Sequence, residues 1–332
     1  MKHRSILFSI FFGEDGCFSS TNQNYGANNM CGIVGLFFKN PSLQPRLGEL
    51  FSEMLDCMSG RGPDSAGFAI YGDDVPEGNL KITLQHSQTG FPWKKLVSEM
   101  GRALKAKSAP RFRVNSTHAV FSIRASEEDV RRFLRARHPE VVIMSIGRRI
   151  EIMKEVGTPA SVIDRFGVRG MKGSHAIGHT RMATESAVST AGSHPFSTGP
   201  DLCLVHNGSL SNHNDLRRNL RRDGFEFQTE NDSEVAAAYL TWRIREGDSL
   251  ADALRHALDD LDGFYTFTVG TRDGFAVLRD PVACKPAVMA ETNDYVAMSS
   301  EYRSLASLPG IEKARLWEPE PATVYSWNGA AK

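Results

Sequence analysis

The sequence has little of what marks several large classes of protein. Its 332 residues include only five cysteines, which are widely spaced and form no Cys-x-x-Cys pair. This usage argues against a disulfide framework and against a structural zinc site, and it favours a reducing compartment, so we expect a cytoplasmic protein without a metal. Lys plus Arg equal Asp plus Glu at 39 each, and this balance gives no reason to expect a nucleic-acid partner.

Long apolar runs and glycine-rich phosphate loops are also missing. The apolar stretch at residues 6–12 is interrupted by Ser9 and is too short for a spanning helix, so we expect no membrane partner. No Gly-x-x-x-x-Gly-Lys-[Ser/Thr] sequence occurs, which excludes a phosphate loop of that kind. These absences predict an ordinary globular protein that binds neither nucleic acid nor membrane.

The most informative feature present is the sequence Met30-Cys31-Gly32. If Met30 is removed, Cys31 carries both a thiol with a reference pKa of about 8.5 and a free α-amine with one of about 7.7–8.0, so the amine can accept the thiol proton. While residues 1–30 are attached, the α-amine of Cys31 is part of a peptide bond and cannot act as a base. Either they are a leader or propeptide that is cut before Cys31, or the start is mis-assigned and translation begins at Met30, which we favour.

Apolar patterning predicts several strands and helices. Continuous apolar runs predict strands at Gly32–Phe38, residues 176–179 and residues 202–206, while helical periodicity predicts a helix near residues 232–245. Strands grouped towards both ends with helices between them favour an α+β layered domain over a doubly wound sheet. The long stretch of about residues 91–173 is predicted to be a structured α/β insertion.

Two downstream loops each contain an arginine of interest. Arg61 begins a Gly-Pro turn sequence that, taken alone, is typical of a tight loop. Arg181 follows the predicted strand at residues 176–179. An arginine at a strand end is well placed to hold a carboxylate with two hydrogen bonds, although a surface salt bridge is the ordinary alternative.

Two further clusters supply hydrogen-bond donors and an acid. Asn207 and Gly208 put a side-chain amide next to an unhindered backbone N–H at a predicted strand terminus. Such a pair is typical of an oxyanion hole, or else of a plain Asn-Gly turn. Asp232 lies where a helix opens, either as part of the helix cap or as a ligand for a substrate ammonium group.

In this order, and together with Met30-Cys31-Gly32, the clusters resemble the glutaminase domain of class II glutamine amidotransferases, which are N-terminal-nucleophile hydrolases. The resemblance extends from Cys31 to Trp327. It implies a four-layer αββα sandwich for residues 31–328, interrupted by the insertion and followed by a short tail at residues 329–332.

The resemblance also implies a role for each cluster. Cys31 would be the nucleophile with its own α-amine as base, and Asn207 and Gly208 would form the oxyanion hole. Arg181 would hold the α-carboxylate of L-glutamine, and Asp232 would hold its α-ammonium group.

Three more positions are matched less directly. Arg61 matches a family arginine near the nucleophile, and Thr184 falls where the family contacts the amino-acid part of the substrate. Met182 stands where the family often has tryptophan.

Within the class, the long insertion and the absence of a fused synthase domain are most similar to stand-alone subunits of the glutamate-synthase type. In particular they resemble the amidotransferase subunit of N-methylglutamate synthase. That resemblance implies two partner chains, an FMN-dependent synthase subunit and a glycine-rich β-helical subunit, and no cofactor in the present chain. The insertion is then either an elaboration of the sandwich or a docking surface for the synthase.

Two other functions stay open at this stage. One is an independent N-terminal-nucleophile amidase that acts on a different amide. The other is a catalytically silent regulatory subunit, which follows if the leader is never removed and the α-amine of Cys31 stays in a peptide bond.

Overall fold

The computed structural model describes residues 31–106, 111–182 and 188–328, except for the side chain of Arg111. The predicted leader at residues 1–30, the tail at residues 329–332 and the candidate Thr184 lie outside the described residues. None of the described helices is long and apolar enough to cross a membrane.

The described chain forms strands and helices in a mixed order. The strands are β1 (Gly32–Phe38), β2 (Ser65–Tyr71), β3 (Leu80–Gln85), β4 (Arg111–Asn115), β5 (His118–Ile123), β6 (Val142–Gly147), β7 (Ile150–Val156), β8 (His175–Arg181), β9 (Phe196–Gly199), β10 (Leu202–Leu210), β11 (Gly263–Gly270), β12 (Gly274–Arg279), β13 (Val288–Glu291), β14 (Tyr295–Ser299), β15 (Arg315–Trp317) and β16 (Thr323–Asn328). The α-helices are α1 (Leu47–Cys57), α2 (Trp93–Ala103), α3 (Glu127–Arg137), α4 (Pro159–Phe166), α5 (His213–Arg222), α6 (Asp232–Arg245) and α7 (Leu250–Asp260). Short 3-10 turns occupy Pro41–Arg46, Met58–Gly60, Val168–Gly170, Tyr302–Leu305 and Ile311–Lys313.

Two antiparallel sheets form the centre of the molecule. The larger has seven strands in the order β15-β13-β14-β1-β8-β2-β7, and the other has five in the order β16-β12-β11-β10-β9. Their inner faces share one apolar core, to which β1 contributes Ile33 and Phe37 and β12 contributes Phe275. Gly35 lies against the facing sheet, since an added Cβ would stand 2.6 Å from the ring of Phe275. The continuous apolar run of β1 is thus explained by burial on both faces.

Helices cover the outer faces of both sheets. On the seven-stranded sheet, Phe51 of α1 and Phe166 of α4 pack against Phe68 of β2 with ring centroids 6.4 and 6.1 Å apart. On the five-stranded sheet, α6 packs through a fully buried run of alanines, residues 236–238, which lets the helix lie close to β9 and β10. The layers are therefore helix, sheet, sheet and helix, and the predicted αββα sandwich is confirmed.

A third, four-stranded sheet stands between β2 and β7 in the chain. Its order is β4-β5-β3-β6, and α2 and α3 cover one face through a separate apolar core that includes Trp93 and Phe133. This small sheet spans Leu80 to Gly147, whereas β7 and α4, which lie within the predicted insertion of residues 91–173, pack in the main sandwich. The strand pairing therefore shows which strands belong to the inserted unit and which to the sandwich, a division that the apolar pattern does not give.

Asp201 joins the small sheet to the sandwich. It lies in the turn between β9 and β10, and its carboxylate accepts hydrogen bonds from the backbone N–H groups of Arg148, Arg149 and Ile150 at 2.7, 2.8 and 3.0 Å. These three residues connect β6 to β7, so one buried carboxylate fixes the end of the inserted sheet to an edge of the five-stranded sheet.

Candidate functional site

The candidate site is a cavity of about 260 Å³ at the ends of β1, β8 and β10 and the start of α6. Five of the predicted site residues line it together: Cys31, Arg181, Asn207, Gly208 and Asp232. These residues are separated by up to about two hundred positions in sequence, and the fold brings them to one cavity because β1 begins, β8 ends, β10 passes and α6 begins there.

Cys31 directly precedes β1, and it is held through its backbone. Its carbonyl oxygen accepts hydrogen bonds from Asn207 Nδ2 at 3.0 Å and from Arg61 Nε at 3.3 Å. Arg61 is itself paired with Glu301 at 2.7 Å. The Cys31 Sγ lies 3.8 Å from the carbonyl oxygen of Met182. Arg61 therefore contacts the backbone of Cys31, and it does not line the cavity.

The predicted oxyanion pair lies inside a strand. β10 pairs with β11 as far as Leu210, so the expectation that Asn207 and Gly208 end a strand is wrong. Gly208 adopts φ +144°, and an added Cβ would stand 1.9 Å from the carbonyl oxygen of Phe264. Besides Cys31, Asn207 Nδ2 also reaches Ser300 Oγ at 3.3 Å.

The two charged candidates lie at the ends of neighbouring elements. Arg181 is the last residue of β8 and is only 9% exposed. Asp232 is the first residue of α6, whose cap is Asn231, because the side chain of Asn231 accepts from Ser233 N. Asp232 Oδ2 instead accepts from the backbone N–H of Leu210 at 2.9 Å, which orients the carboxylate beside the cavity.

Three buried histidines complete the wall. His179 Nε2 lies 3.0 Å from Asn207 Oδ1, and its ring packs against that of His194 with centroids 4.1 Å apart and the planes tilted by 32°. His194 Nε2 and His206 Nδ1 both contact Ser233 Oγ, at 2.8 and 2.9 Å. Burial lowers the pKa of His179 to about 3, and it lowers the pKa of His194 and His206 as well. All three are therefore neutral near pH 7.

Sequence reasoning missed these histidines and one cation. His179 and His206 stand inside the motifs that carry Arg181 and Asn207, so proximity in sequence was an available signal. His194 and Lys285 lie in loops before β9 and β13, where no periodicity or turn pattern marks them. Lys285 gives the cavity a second positive charge beside Arg181, and the only acid in the described part of its lining is Asp232.

A larger cavity of about 660 Å³ lies between the inserted sheet and the five-stranded sheet. It is bordered by α3 and β6 on one side and by β9 and α6 on the other, and none of the predicted site residues that the structure describes lines it. Its charged lining is mixed, with Arg131 beside Glu127 and Arg135 paired with Glu226. Within residues 31–106, 111–182 and 188–328, no group of three or more His, Cys, Asp or Glu side chains is arranged to hold a metal ion.

Comparison with known proteins gives consistent matches. A family model described as a glutamine amidotransferase domain matches residues 179–307. The chain is 60% identical over 301 residues to the glutamine amidotransferase-like protein GlxB of Rhizobium meliloti, a match that covers 90% of this chain and 98% of that protein. It is 33% identical over 310 residues to a protein of Methanothermobacter thermautotrophicus named as a candidate glutamine amidotransferase, covering 89% and 99% respectively.

Solved structures agree on the fold. Glutamine phosphoribosylpyrophosphate amidotransferase of B. subtilis matches with a TM-score of 0.56 and 20% identity, over 90% of this chain and 47% of that chain. A structure described as the allosteric regulatory enzyme of purine biosynthesis matches with a TM-score of 0.58 over the same shares. The chain thus spans about half of these two solved chains, and the likeness shows that it shares their amidotransferase sandwich fold.

Proposed function

The chain belongs to the glutamine amidotransferase family, and on that premise we propose that it hydrolyses glutamine to glutamate and ammonia with Cys31 as the nucleophile. One observation carries the proposal: a thiol, two oxyanion donors, a guanidinium and a carboxylate line the same small cavity. A cavity of about 260 Å³ suits a single amino acid better than a large ligand, since pockets that bind drug-sized ligands have volumes of roughly 300–1,000 Å³.

The charges of the cavity are complementary to glutamine. Glutamine carries an α-carboxylate, an α-ammonium group and a neutral side-chain amide. In the proposal Arg181 binds the carboxylate and Asp232 binds the ammonium group, which leaves the amide to face Cys31 and the pair Asn207 and Gly208. Both ends of the substrate are then fixed by charge, so the amide carbon is positioned for attack.

The proposed reaction has two stages. Cys31 Sγ attacks the amide carbon, forming a C–S bond and a tetrahedral oxyanion, and Asn207 and the Gly208 N–H stabilise that charge. The C–N bond then breaks, and the nitrogen takes up the proton that the α-amine of Cys31 had removed from the thiol, so that ammonia leaves. Water attacks the remaining thioester, breaks the C–S bond and releases glutamate.

This mechanism needs a free α-amine on Cys31, so we propose that the active form begins at that residue. The bonds from Arg61 and Asn207 to the Cys31 carbonyl are compatible with such a form, because removal of residues 1–30 leaves this carbonyl in place.

The test compares three proteins by glutamate release: one that starts at Cys31, the full chain, and a Cys31→Ala variant of the first. We expect activity only in the first, or in the full chain after its mature N-terminus is found at Cys31 by intact mass. The exposed cysteine gives the matched control, since Cys284→Ala should retain full activity. Equal glutamate release from the Cys31→Ala variant would disprove the nucleophile assignment, and an inactive mature protein would favour a silent regulatory subunit.

For the ammonia acceptor we propose a separate synthase chain of the glutamate-synthase type, as in N-methylglutamate synthase, with FMN on that partner and no cofactor here. The fold supports this division, because the described residues are used by the glutaminase sandwich and its small inserted sheet. Co-expression with candidate synthase subunits tests the idea. A stable complex in which glutamine drives amination of a 2-oxo acid is expected, whereas a chain that remains alone beside those subunits and is unaffected by them would contradict it.

A further inference from the structure

Lys154 is a buried lysine whose amino group binds three carbonyl groups of one loop. It lies on β7 and is only 5% exposed. Its Nζ donates to the carbonyl oxygens of Ala191, Ser193 and Pro195 at 3.2, 2.7 and 3.2 Å. These bonds use all three N–H groups of a protonated lysine, and they hold the loop on both sides of His194.

The charge of this lysine is costly at such a depth. Burial lowers the pKa of Lys154 to about 7, a shift that the nearby carboxylate of Glu234 opposes in part. The Nζ also lies 4.5 Å from the centre of the Phe196 ring. Because a buried charge contributes little net stability, the role of Lys154 is better sought in the loop that its N–H groups hold.

Residues 191–195, which we call the lysine-bound loop, lie tightly against two strands of the seven-stranded sheet. Gly67 of β2 stands opposite Lys154 of β7 in that sheet. A Cβ added to Gly67 would stand 2.1 Å from the carbonyl oxygen of His194 and 2.4 Å from the Cβ of Lys154. The loop, β2 and β7 therefore pack together with no space for another side chain.

The lysine-bound loop reaches the candidate cavity through His194, whereas Lys154 is not among the described residues that line it. His194 Nε2 lies 2.8 Å from Ser233 Oγ. Ser233 Oγ is in turn 3.3 Å from Oδ1 of Asp232, the carboxylate proposed to bind the α-ammonium group. The position of the loop therefore bears on this carboxylate through one hydroxyl group.

The same loop packs against the proposed carboxylate ligand. A Cβ added to Gly192 would stand 3.5 Å from Arg181 Nη1, so the loop backbone lies directly beside the guanidinium group. The lysine-bound loop thus borders Arg181 directly and Asp232 through Ser233. These are the two charged groups that would bind the amino-acid part of glutamine.

The oxyanion donors are held mainly by other contacts. Asn207 Nδ2 reaches the Cys31 carbonyl oxygen and Ser300 Oγ, and the second donor is a backbone N–H inside β10, which pairs with β11. Only the bond from Asn207 to His179 leads towards the loop, since that ring packs against His194. A displaced loop should therefore weaken glutamine binding more than it slows the chemical step.

We propose that Lys154 is a positioning residue for substrate binding: by holding the lysine-bound loop against Arg181 and Ser233, it keeps the two charged groups that bind glutamine in place. The inference rests on the proposed glutaminase function, which supplies the substrate. Lys154 acts through the loop and makes no contact with glutamine itself.

The first test compares Lys154→Met with Lys81→Met in the mature protein that starts at Cys31. Lys81 is a matched control, because it is 9% exposed, donates to the carbonyl oxygens of Asp73 and Arg149 at 2.8 and 3.3 Å, and lies outside the cavity lining. For Lys154→Met we expect the KM for glutamine to rise about tenfold and kcat to fall less than about threefold. Lys81→Met should leave both values within about twofold of the wild type.

Three results of this comparison would overturn the proposal. One is a wild-type KM in folded Lys154→Met protein. Another is a large fall in kcat without a rise in KM, which would place the effect on the chemical step. The third is an equal rise in KM in both variants, since that would reflect general destabilisation.

A second pair, Lys154→Gln and Lys81→Gln, covers the case in which the methionine variant does not fold. The glutamine side chain keeps two of the three N–H donors without the charge. We expect Lys154→Gln to raise KM by a smaller factor, about two- to fivefold, and Lys81→Gln to leave it unchanged. Folded Lys154→Gln protein with no greater change in KM than its control would contradict the proposal.

A binding measurement separates this proposal from the proposed function. Calorimetry gives the Kd of L-glutamine for Cys31→Ala protein, which has no nucleophile, with and without Lys154→Met. The second substitution should raise Kd about tenfold, and an equal Kd would overturn the positioning role even if glutaminase activity is present. Mature wild-type protein that releases no glutamate, together with the expected rise in Kd, would instead disprove the proposed function and leave the role of Lys154 intact.

Discussion

Asn207 connects the candidate nucleophile to a buried neutral histidine. Its amide nitrogen donates to the Cys31 carbonyl and its amide oxygen accepts from His179. Because the proposed oxyanion needs this amide N–H, we expect Asn207→Ala to lower kcat about 10²–10³-fold, or about 2.7–4 kcal/mol. Steady-state glutamate release measures the effect.

The matched variant is Asn207→Asp, which keeps an acceptor for His179 but has no N–H. It should lose as much activity as Asn207→Ala while its unfolding midpoint stays closer to that of the wild type. If Asn207→Asp retained most of its kcat, the side chain would have a structural role only.

Gly208 shows how tightly the backbone is constrained at the site. Its φ of +144° is strained for any other residue, and a Cβ would collide with the Phe264 carbonyl on the neighbouring strand β11. We expect Gly208→Ala to destabilise the protein by at least about 1–3 kcal/mol, measured by urea unfolding. The control is Gly170→Ala, where φ is not positive and a Cβ meets nothing within 4 Å, so stability should change little.

At this scale the sequence indicated those residues of the cavity that lie in recognisable motifs, and it missed those that reach the cavity only through packing. Cys31, Arg181 and Asp232 were recognisable because their residue types and order matched a known pattern. His194 could not be recognised, because it lines the cavity through ring packing against His179 and a contact with Ser233, neither of which a sequence pattern indicates. Arg61 was expected near the nucleophile, and only the structure gives its contact with the Cys31 carbonyl.

At the scale of elements, most strands and helices were predictable from their apolar patterns, but their partners were not. The stretch of residues 150–166 was read with the insertion, whereas β7 within it pairs with β2 along its whole length in the seven-stranded sheet. Apolar patterning indicates a strand and not the sheet it joins, since strands of either main sheet are buried on both faces and give the same nearly continuous apolar run. Only the structure therefore shows which strands that are distant in sequence pair with each other.

The joint between the inserted sheet and the sandwich gives a prediction at this scale. Asp201→Ala removes a carboxylate that accepts three backbone N–H bonds, from Arg148, Arg149 and Ile150, and leaves those groups unsatisfied. We expect a loss of at least about 3 kcal/mol, since each hydrogen bond to a charged group contributes about 1.5–3 kcal/mol. Urea unfolding measures it.

Hydrogen exchange locates the same change. Protection should fall first at β6 and β7, which the Asp201 carboxylate ties together. Asp215→Ala, at an exposed acid on α5, serves as the control and should leave both the stability and the exchange pattern nearly unchanged. Equal effects of the two substitutions would show that Asp201 does not secure the joint.

For the whole molecule, the layered architecture explains why so many histidines are held neutral. His175 lies in the core between the sheets and stacks on Tyr71 with centroids 4.0 Å apart, and His118 lies fully buried beside Phe166. Both side chains are fully buried, His175 between the two main sheets and His118 in the inserted sheet. Neutral histidines are therefore a property of the fold and extend beyond the candidate site.

This burial predicts acid sensitivity. Burial lowers the pKa of His118, His175 and His179 to about 3 in the folded protein, against about 6.5 in the unfolded chain, so below pH 6.5 the unfolded state binds more protons. The free energy of unfolding should be unaffected by these groups above about pH 6.5 and should fall steadily as the pH drops towards about 3. Urea unfolding at several pH values checks this, with His118→Gln expected to reduce the slope and the exposed His256→Gln expected to leave it unchanged. A wild-type stability that stayed constant between about pH 6.5 and about pH 4.5 would show that these imidazoles are solvated and not buried.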